Sequence, residues 1–220
     1  MRYIVTAGQS WSGFYRVLLL TLTLALAAGC GQEVRYEALP SGATVLAFGD
    51  SVTYGTGASS GEDYPSVLAE KTGWRVINAG IPGDTARAAR SRLAPLLAEH
   101  QPDLVIVELG GNDFLRRHST DSVEAALRDI VQQAKASGAI TVLVSVPRFS
   151  VLRATAGALS DSPIYATLAE EEGVLLAPDI FAEVLSDEDL RADPIHPNAA
   201  GYRQFTDELL ALLQAAGLWL

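Results

Sequence analysis

Ser51 stands in the run Gly49-Asp50-Ser51-Val52-Thr53-Tyr54-Gly55, directly behind an apolar segment at 44–48. The glycines permit a tight strand-to-helix turn, which would put the Ser51 hydroxyl at a strand tip near helical N–H groups. A polar turn or a helix cap would use the same residues, so Ser51 is a candidate nucleophile. Asp193 and His196 lie three apart in Asp193-Pro194-Ile195-His196-Pro197-Asn198. Pro194 and Pro197 hold this stretch out of helix, and Pro197 suits the first turn of a following one. On so stiff a turn a carboxylate can fix an imidazole in one tautomer and leave the other ring nitrogen as a base. Such a pair is structural unless a nucleophile meets it in space. Asn112, in Gly110-Gly111-Asn112-Asp113, offers an amide donor of the kind that stabilises an oxyanion, although a Gly-rich turn held by Asn or Asp is the plain alternative. In Asn78-Ala79-Gly80-Ile81-Pro82-Gly83-Asp84-Thr85 a glycine N–H can approach a ligand closely, while Asp84 or Thr85 suits a helix cap. Nucleophile, base, orienting acid and oxyanion donors together would make an acyl-transfer site.

The elements that must position these residues alternate along the chain. Short apolar runs at 44–48, 74–77, 104–109, 140–146 and 174–176 predict buried strands. Helical patterns occupy about 64–71, 85–99, 122–137, 164–172 and 198–215. This alternation predicts a parallel sheet covered by helices on both faces. In such sheets ligands bind beyond the carboxyl ends of the strands, where all four chemistry-bearing loops fall.

Composition narrows the classes. The chain has 220 residues, 49% hydrophobic and 19% charged, so it can bury a core and is not disordered. Its formal charge is −10, and the strongest basic run is Arg116-Arg117; nucleic acid, which demands a basic footprint, is not an expected partner. One cysteine, Cys30, excludes an internal disulfide and a multi-thiolate zinc site. The three histidines show no metal-ligand spacing. His100 and His118 are read as surface residues, and Asp50 and Asp113 as turn and loop bonding. The loop "GDSVTYGTG" fits neither nucleotide-binding glycine motif.

The N-terminus reads as an address. Residues 17–28, VLLLTLTLALAA, are apolar but short of the roughly 20 that span a membrane, and they fit the core of a secretory signal. The sequence Ala27-Ala28-Gly29-Cys30 that follows resembles a bacterial lipobox, whose cysteine is lipidated. The resemblance implies a signal peptide at 1–29, a tether at 30–43 and one folded domain at 44–220. It also implies a lipid anchor at Cys30. Gly31, in place of an Asp, implies the outer membrane, with the domain facing the periplasm.

The four loops together resemble the GDSL, or SGNH, serine hydrolases, with the blocks in family order across 44–213. "VIVELGGNDFLRR" and "DPIHPN" are most similar to the periplasmic thioesterase/lysophospholipase and arylesterase branch. The resemblance implies a three-layer α/β/α, flavodoxin-like fold with five parallel strands. It implies Ser51 as nucleophile, His196 as base and Asp193 as its partner. The oxyanion hole would comprise the N–H groups of Ser51 and Gly83 and the amide of Asn112; Gly83 rather than Gly80 matches the donor that directly precedes the Asp. The implied activity is hydrolysis of small acyl esters or thioesters, possible lysophospholipid included, with no metal or organic cofactor. An O-acetyl esterase acting on carbohydrate or peptidoglycan, and a non-catalytic binding lipoprotein of the same fold, are the alternatives. The sequence departs from the family pattern in reading "GDSV", in carrying Pro82, and in the segment 147–165. That segment, with Phe149, Val151, Leu152, Leu159, Ile164 and Tyr165, is the expected wall of an acyl pocket. Arg148 and Arg153 in it are expected on a solvated loop surface.

Overall fold

The computed structural model describes residues 36–147 and 159–220. Five strands form one parallel sheet: β1 (Thr44–Gly49), β2 (Arg75–Gly80), β3 (Leu104–Glu108), β4 (Ile140–Val144) and β5 (Leu175–Ala177), in the order β2-β1-β3-β4-β5. Val45, Leu46, Ala47 and Phe48 of β1 and Leu104 to Val107 of β3 have no exposed surface. Strands buried on both faces carry continuous apolar runs, which is why these two were visible without alternation. Edge strand β2 is only partly buried.

Between the strands lie α1 (Ser51–Tyr54), α2 (Tyr64–Thr72), α3 (Ala86–His100), α4 (Gly111–Leu115), α5 (Thr120–Ala136), α6 (Ile164–Glu172), α7 (Ile180–Ser186) and α8 (Ala199–Ala215). The longer helices begin at side-chain caps: Asp63, Thr85, Ser119 and Asn198 each accept from a backbone N–H of the first turn. On α5 the buried residues Val123, Ala126, Leu127, Ile130, Val131 and Ala134 repeat at three and four, the stripe of a helix lying on a core. Helix α5 packs against α3 and α6, while α8 packs against α2 and α7. The two groups cover the sheet in a three-layer α/β/α arrangement.

The expected five strands and five helices are present with ends shifted by a few residues; β4 stops at Val144. Three short helices were not anticipated: α1, α4 and α7. Nor was the two-stranded hairpin of β6 (Arg191–Asp193) and β7 (His196–Pro197). Pro197 therefore lies in β7 ahead of the cap Asn198 and not in the first turn of α8. Within 30–43, the Tyr36 and Leu39 N–H groups donate to the carbonyls of Ala216 and Leu218, each at 2.9 Å. The segments 1–35 and 148–158, including Cys30, lie outside the described residues.

Strand order sets the site. From β1 the chain passes to β2 on one side, then to β3 on the other. The carboxyl ends of β1 and β3 thus flank a topological switch point, where open α/β sheets form their crevice.

Candidate active site

Ser51 opens α1 one residue after β1 runs out. The turn is tight because Gly49 permits it: a Cβ there would lie 1.9 Å from Thr53 Oγ1 and 2.6 Å from the Glu108 carbonyl. Asp50 caps α1, its Oδ1 accepting from Val52 N–H at 3.1 Å. The Ser51 hydroxyl stands 3.0 Å from His196 Nε2.

The β6–β7 hairpin brings the imidazole there. Asp193 and His196 are cross-strand partners with Pro194-Ile195 as the turn, so a separation of three in sequence becomes direct juxtaposition. Asp193 Oδ2 is 2.8 Å from His196 Nδ1, and its Oδ1 accepts from the N–H groups of Ile195 and His196 at 2.8 and 2.9 Å. An ionised carboxylate only accepts, so Nδ1 carries the proton and Nε2 is left as acceptor for the Ser51 hydroxyl. Partial burial pushes the Asp193 carboxyl up, but the bonds from His196 and Ile195 together hold it below the ordinary range. Arg191 anchors the hairpin, donating to the Leu185 carbonyl and to Glu188 Oε1 at 3.0 and 2.6 Å.

Asn112 lies in the first turn of α4, beyond β3. Its Nδ2 donates to Asp50 Oδ2 at 2.9 Å, which ties the amide to the turn that carries Ser51. Gly83 takes φ +80°, a conformation that favours glycine, and its carbonyl accepts from Arg116 Nη2 at 2.8 Å. Asp113 Oδ2 accepts from Ala86 N–H at 2.8 Å. Helix α4 is thereby bonded to the start of α3, and the residue that ends α4 to the loop that carries Gly83. The N–H of Gly80 is already given to Asn78 Oδ1 at 3.0 Å, which makes Gly80 the poorer oxyanion donor.

Arg92 of α3 joins the remaining parts. Its Nη2, Nη1 and Nε donate to the Gly49 carbonyl, the Ala79 carbonyl and Asp84 Oδ2, each at 2.7 Å, and its guanidinium lies 4.1 Å above the Phe48 ring. One cation thus holds the ends of β1 and β2 and the residue after Gly83. Sequence reasoning missed Arg92 and Arg116, since a charged residue on a helix gives no sign of its partners. It also missed Glu108, although a lone acid inside the run LVIVEL was a visible signal.

Ser51, Asn112, Leu115, Phe181, Ile195 and His196 line a small, shallow pocket open to solvent. Of the expected acyl wall, Leu159, Ile164 and Tyr165 are described. Ile164 and Tyr165 are core residues, and the Tyr165 hydroxyl donates to the Leu109 carbonyl at 2.8 Å. Leu159 is partly buried against the core. Arg148, Phe149, Val151, Leu152 and Arg153 lie outside the described residues. Leu115 and Ile195 are the accessible apolar side chains at this pocket. His118 is exposed, with Nδ1 3.1 Å from Asp113 Oδ1. His100 is half-buried rather than on the surface. Among the described residues no cluster of His, Cys, Asp and Glu is arranged to hold a metal ion.

Comparison with known proteins agrees with this geometry. The profile of the GDSL-like lipase/acylhydrolase family matches residues 47–204. The chain is 37% identical over 179 residues to thioesterase 1/protease 1/lysophospholipase L1 of Escherichia coli K12, covering 78% of this chain and 83% of that protein. It is 30% identical over 199 residues to esterase TesA of Pseudomonas aeruginosa, covering 86% and 96%. A crystal structure of TesA superposes with a TM-score of 0.70 at 30% identity, over 79% of this chain and 99% of that one. The match runs from β1, ahead of Ser51, into α8, behind His196, and so takes in every loop that borders the pocket: the chain belongs to the GDSL-like lipase/acylhydrolase family and is an esterase of the SGNH type.

Proposed function

We propose that the chain hydrolyses small carboxylic esters and thioesters through an acyl-enzyme on Ser51. The observation that carries this reading is the continuous line Asp193 Oδ2–His196 Nδ1–His196 Nε2–Ser51 Oγ, with contacts of 2.8 and 3.0 Å. His196 Nε2 takes the Ser51 proton as Oγ attacks the acyl carbonyl, and Asp193 stabilises the imidazolium. The N–H groups of Ser51 and Gly83 and the Asn112 amide receive the oxyanion. Collapse expels the alcohol or thiol, which takes the proton from His196. Water, deprotonated by His196 in turn, attacks the Ser51 ester; the acid leaves and the serine is restored. None of these steps calls for a metal or an organic cofactor.

Leu115 and Ile195 favour an acyl chain over a polar group beside Ser51, since each buried CH₂ contributes roughly 0.8 kcal/mol. Lysophospholipid is the largest substrate this reading includes; nucleic acid is outside it. Cys30, on the strength of the Ala-Ala-Gly-Cys junction alone, is proposed as the site of a lipid anchor that holds the domain at the outer membrane, facing the periplasm. A panel of p-nitrophenyl esters and acyl thioesters tests the activity. The wild type should turn over several, and Ser51→Ala should lose at least about 10³-fold in kcat on all of them. Turnover undiminished in Ser51→Ala would reject the reading.

A further inference from the structure

Two carboxyl groups that this chemistry does not use lie beside Ser51. Asp50 is 3% exposed and Glu108 1%; both border the pocket at Ser51 and lie close enough to act on each other electrostatically. Asp50 accepts from Val52 N–H through Oδ1 and from Asn112 Nδ2 through Oδ2. Glu108 Oε2 accepts from the Thr53 hydroxyl at 3.1 Å. That hydroxyl in turn stands 3.1 Å from the Tyr64 hydroxyl. These partners are all neutral donors. Two ionised carboxylates can only accept, so any bond between Asp50 and Glu108 requires a proton carried by one of them, and no cationic side chain among these partners would hold both as anions.

We propose that Glu108 is held as the neutral acid and donates to Asp50, and that the Asp50 carboxylate so fixed is the positioning residue that orients the Asn112 amide. An amide can present either its NH₂ or its oxygen with little change of shape. Against an acceptor-only Asp50 the NH₂ must face inward, which leaves the second N–H for the oxyanion. A protonated Asp50 would donate, and could draw the amide oxygen instead. Two buried anions side by side would repel, so one proton in the pair removes the larger cost. Burial pushes both carboxyls up, and Glu108 is raised well above the ordinary range.

The surrounding groups do not change this assignment. Tyr64 of α2, Tyr165 of α6 and Tyr202 of α8 face the pair with phenols that burial raises, so they stay neutral. Asp63 and Asp113 are the other nearby acids, each engaged by a backbone N–H. His196, from β7, is the facing group that gains positive charge, when it takes the Ser51 proton.

The kinetic consequence rests on the roles given above to Ser51 and Asn112; the protonation state does not. Infrared spectra of the wild type at pH 8 should therefore show a protonated carboxyl C=O stretch that shifts on ¹³C-glutamate labelling. No such band would overturn the proposal, whatever the esterase activity. Glu108→Met, which removes the donor, should lower kcat about tenfold or more with KM within about threefold, because the oxyanion bond strengthens in the transition state. Glu108→Gln keeps a donor toward Asp50 and an acceptor toward Thr53, so it should recover most of that loss and lack the infrared band. A folded Gln variant as impaired as the Met variant, or a change confined to KM, would overturn the positioning role. If neither variant folds, the wild-type band decides. Wild type with the band but no ester turnover would reject the proposed function and leave the protonated pair intact.

Discussion

Replacing Arg92 with Met removes three donors and one charge while keeping most of the side-chain volume. The three bonds are each 2.7 Å long, one of them to a carboxylate, and the Arg92 and Asp84 side chains are 19% and 9% exposed. Hydrogen bonds to charged groups are worth about 1.5–3 kcal/mol net each, but the three share one immobilised side chain and do not add in full. Breaking a buried pair costs about 3–5 kcal/mol because the partner is left uncompensated. The Gly49 and Ala79 carbonyls lose a donor as well. A loss of about 3–5 kcal/mol follows, and stacking on Phe48 (4.1 Å) adds at most about 1 more. Urea denaturation should show this as a lower midpoint at unchanged slope, and the melting temperature should fall on the order of 10 °C. Arg92→Lys keeps the charge but cannot reach three separated acceptors, and should fall between. Because Asp84 follows Gly83, kcat should drop more than KM rises in both. A Met variant within about 1 kcal/mol of wild type would refute the clamp, since that little could come from a surface salt bridge.

Asn112→Ala should lower kcat about 10²–10³-fold with a smaller change in KM; a large rise in KM at unchanged kcat would make Asn112 a binding residue. Asp193 is depressed in the folded state, so its stabilisation is present above about pH 4 and is lost as acid carries the pH down through its lower folded value. Guanidinium titrations should accordingly show Asp193→Asn less stable than wild type at pH 7 and the gap closing with acid; a gap constant in pH would contradict the linkage. Asp50 has the opposite sign: raised from 3.8 to about 6, it stabilises most at low pH and less as pH climbs through that interval. Each added methylene on a p-nitrophenyl ester should raise kcat/KM about fourfold over the first few carbons, then level off; a strict preference for acetyl would favour the O-acetyl esterase alternative. In a host that processes lipoproteins, Cys30→Ser should shift the protein out of the detergent phase, and unchanged partitioning would exclude lipidation at Cys30.

The sequence made the sheet legible because β1, β3 and β4 are mostly apolar runs, with glycine at or just after the ends of β1 and β3 and Pro147 shortly after β4. It also exposed the loops that carry Ser51, Asn112 and His196, which need unusual local chemistry and show it. Helix α7 was hidden: Asp179 enters it at φ 59° without a capping bond, and five of its seven residues are buried, so it lacks a polar face. The hairpin that joins Asp193 to His196 was read only as a stiff turn, because its prolines argue against strand. Part of the expected pocket wall went to the core for a physical reason. Ile164 and Tyr165 are as apolar as an acyl pocket requires, but the core takes them, and Leu115 reaches the pocket from a helix whose sequence gave no sign of it. Arg92, Arg116 and the Asp50–Glu108 pair act through partners 8 to 58 positions away in sequence, and no local pattern encodes such distances.

Covalent labelling tests the central claim most directly. The proposed function makes Ser51, whose hydroxyl stands 3.0 Å from His196 Nε2, the activated serine. A fluorophosphonate, mapped by peptide mass spectrometry, should modify Ser51 at one label per chain, abolish ester turnover in step, and fail to react with His196→Ala. Labelling at any other serine, or full labelling of Ser51 that leaves turnover intact, would contradict the account.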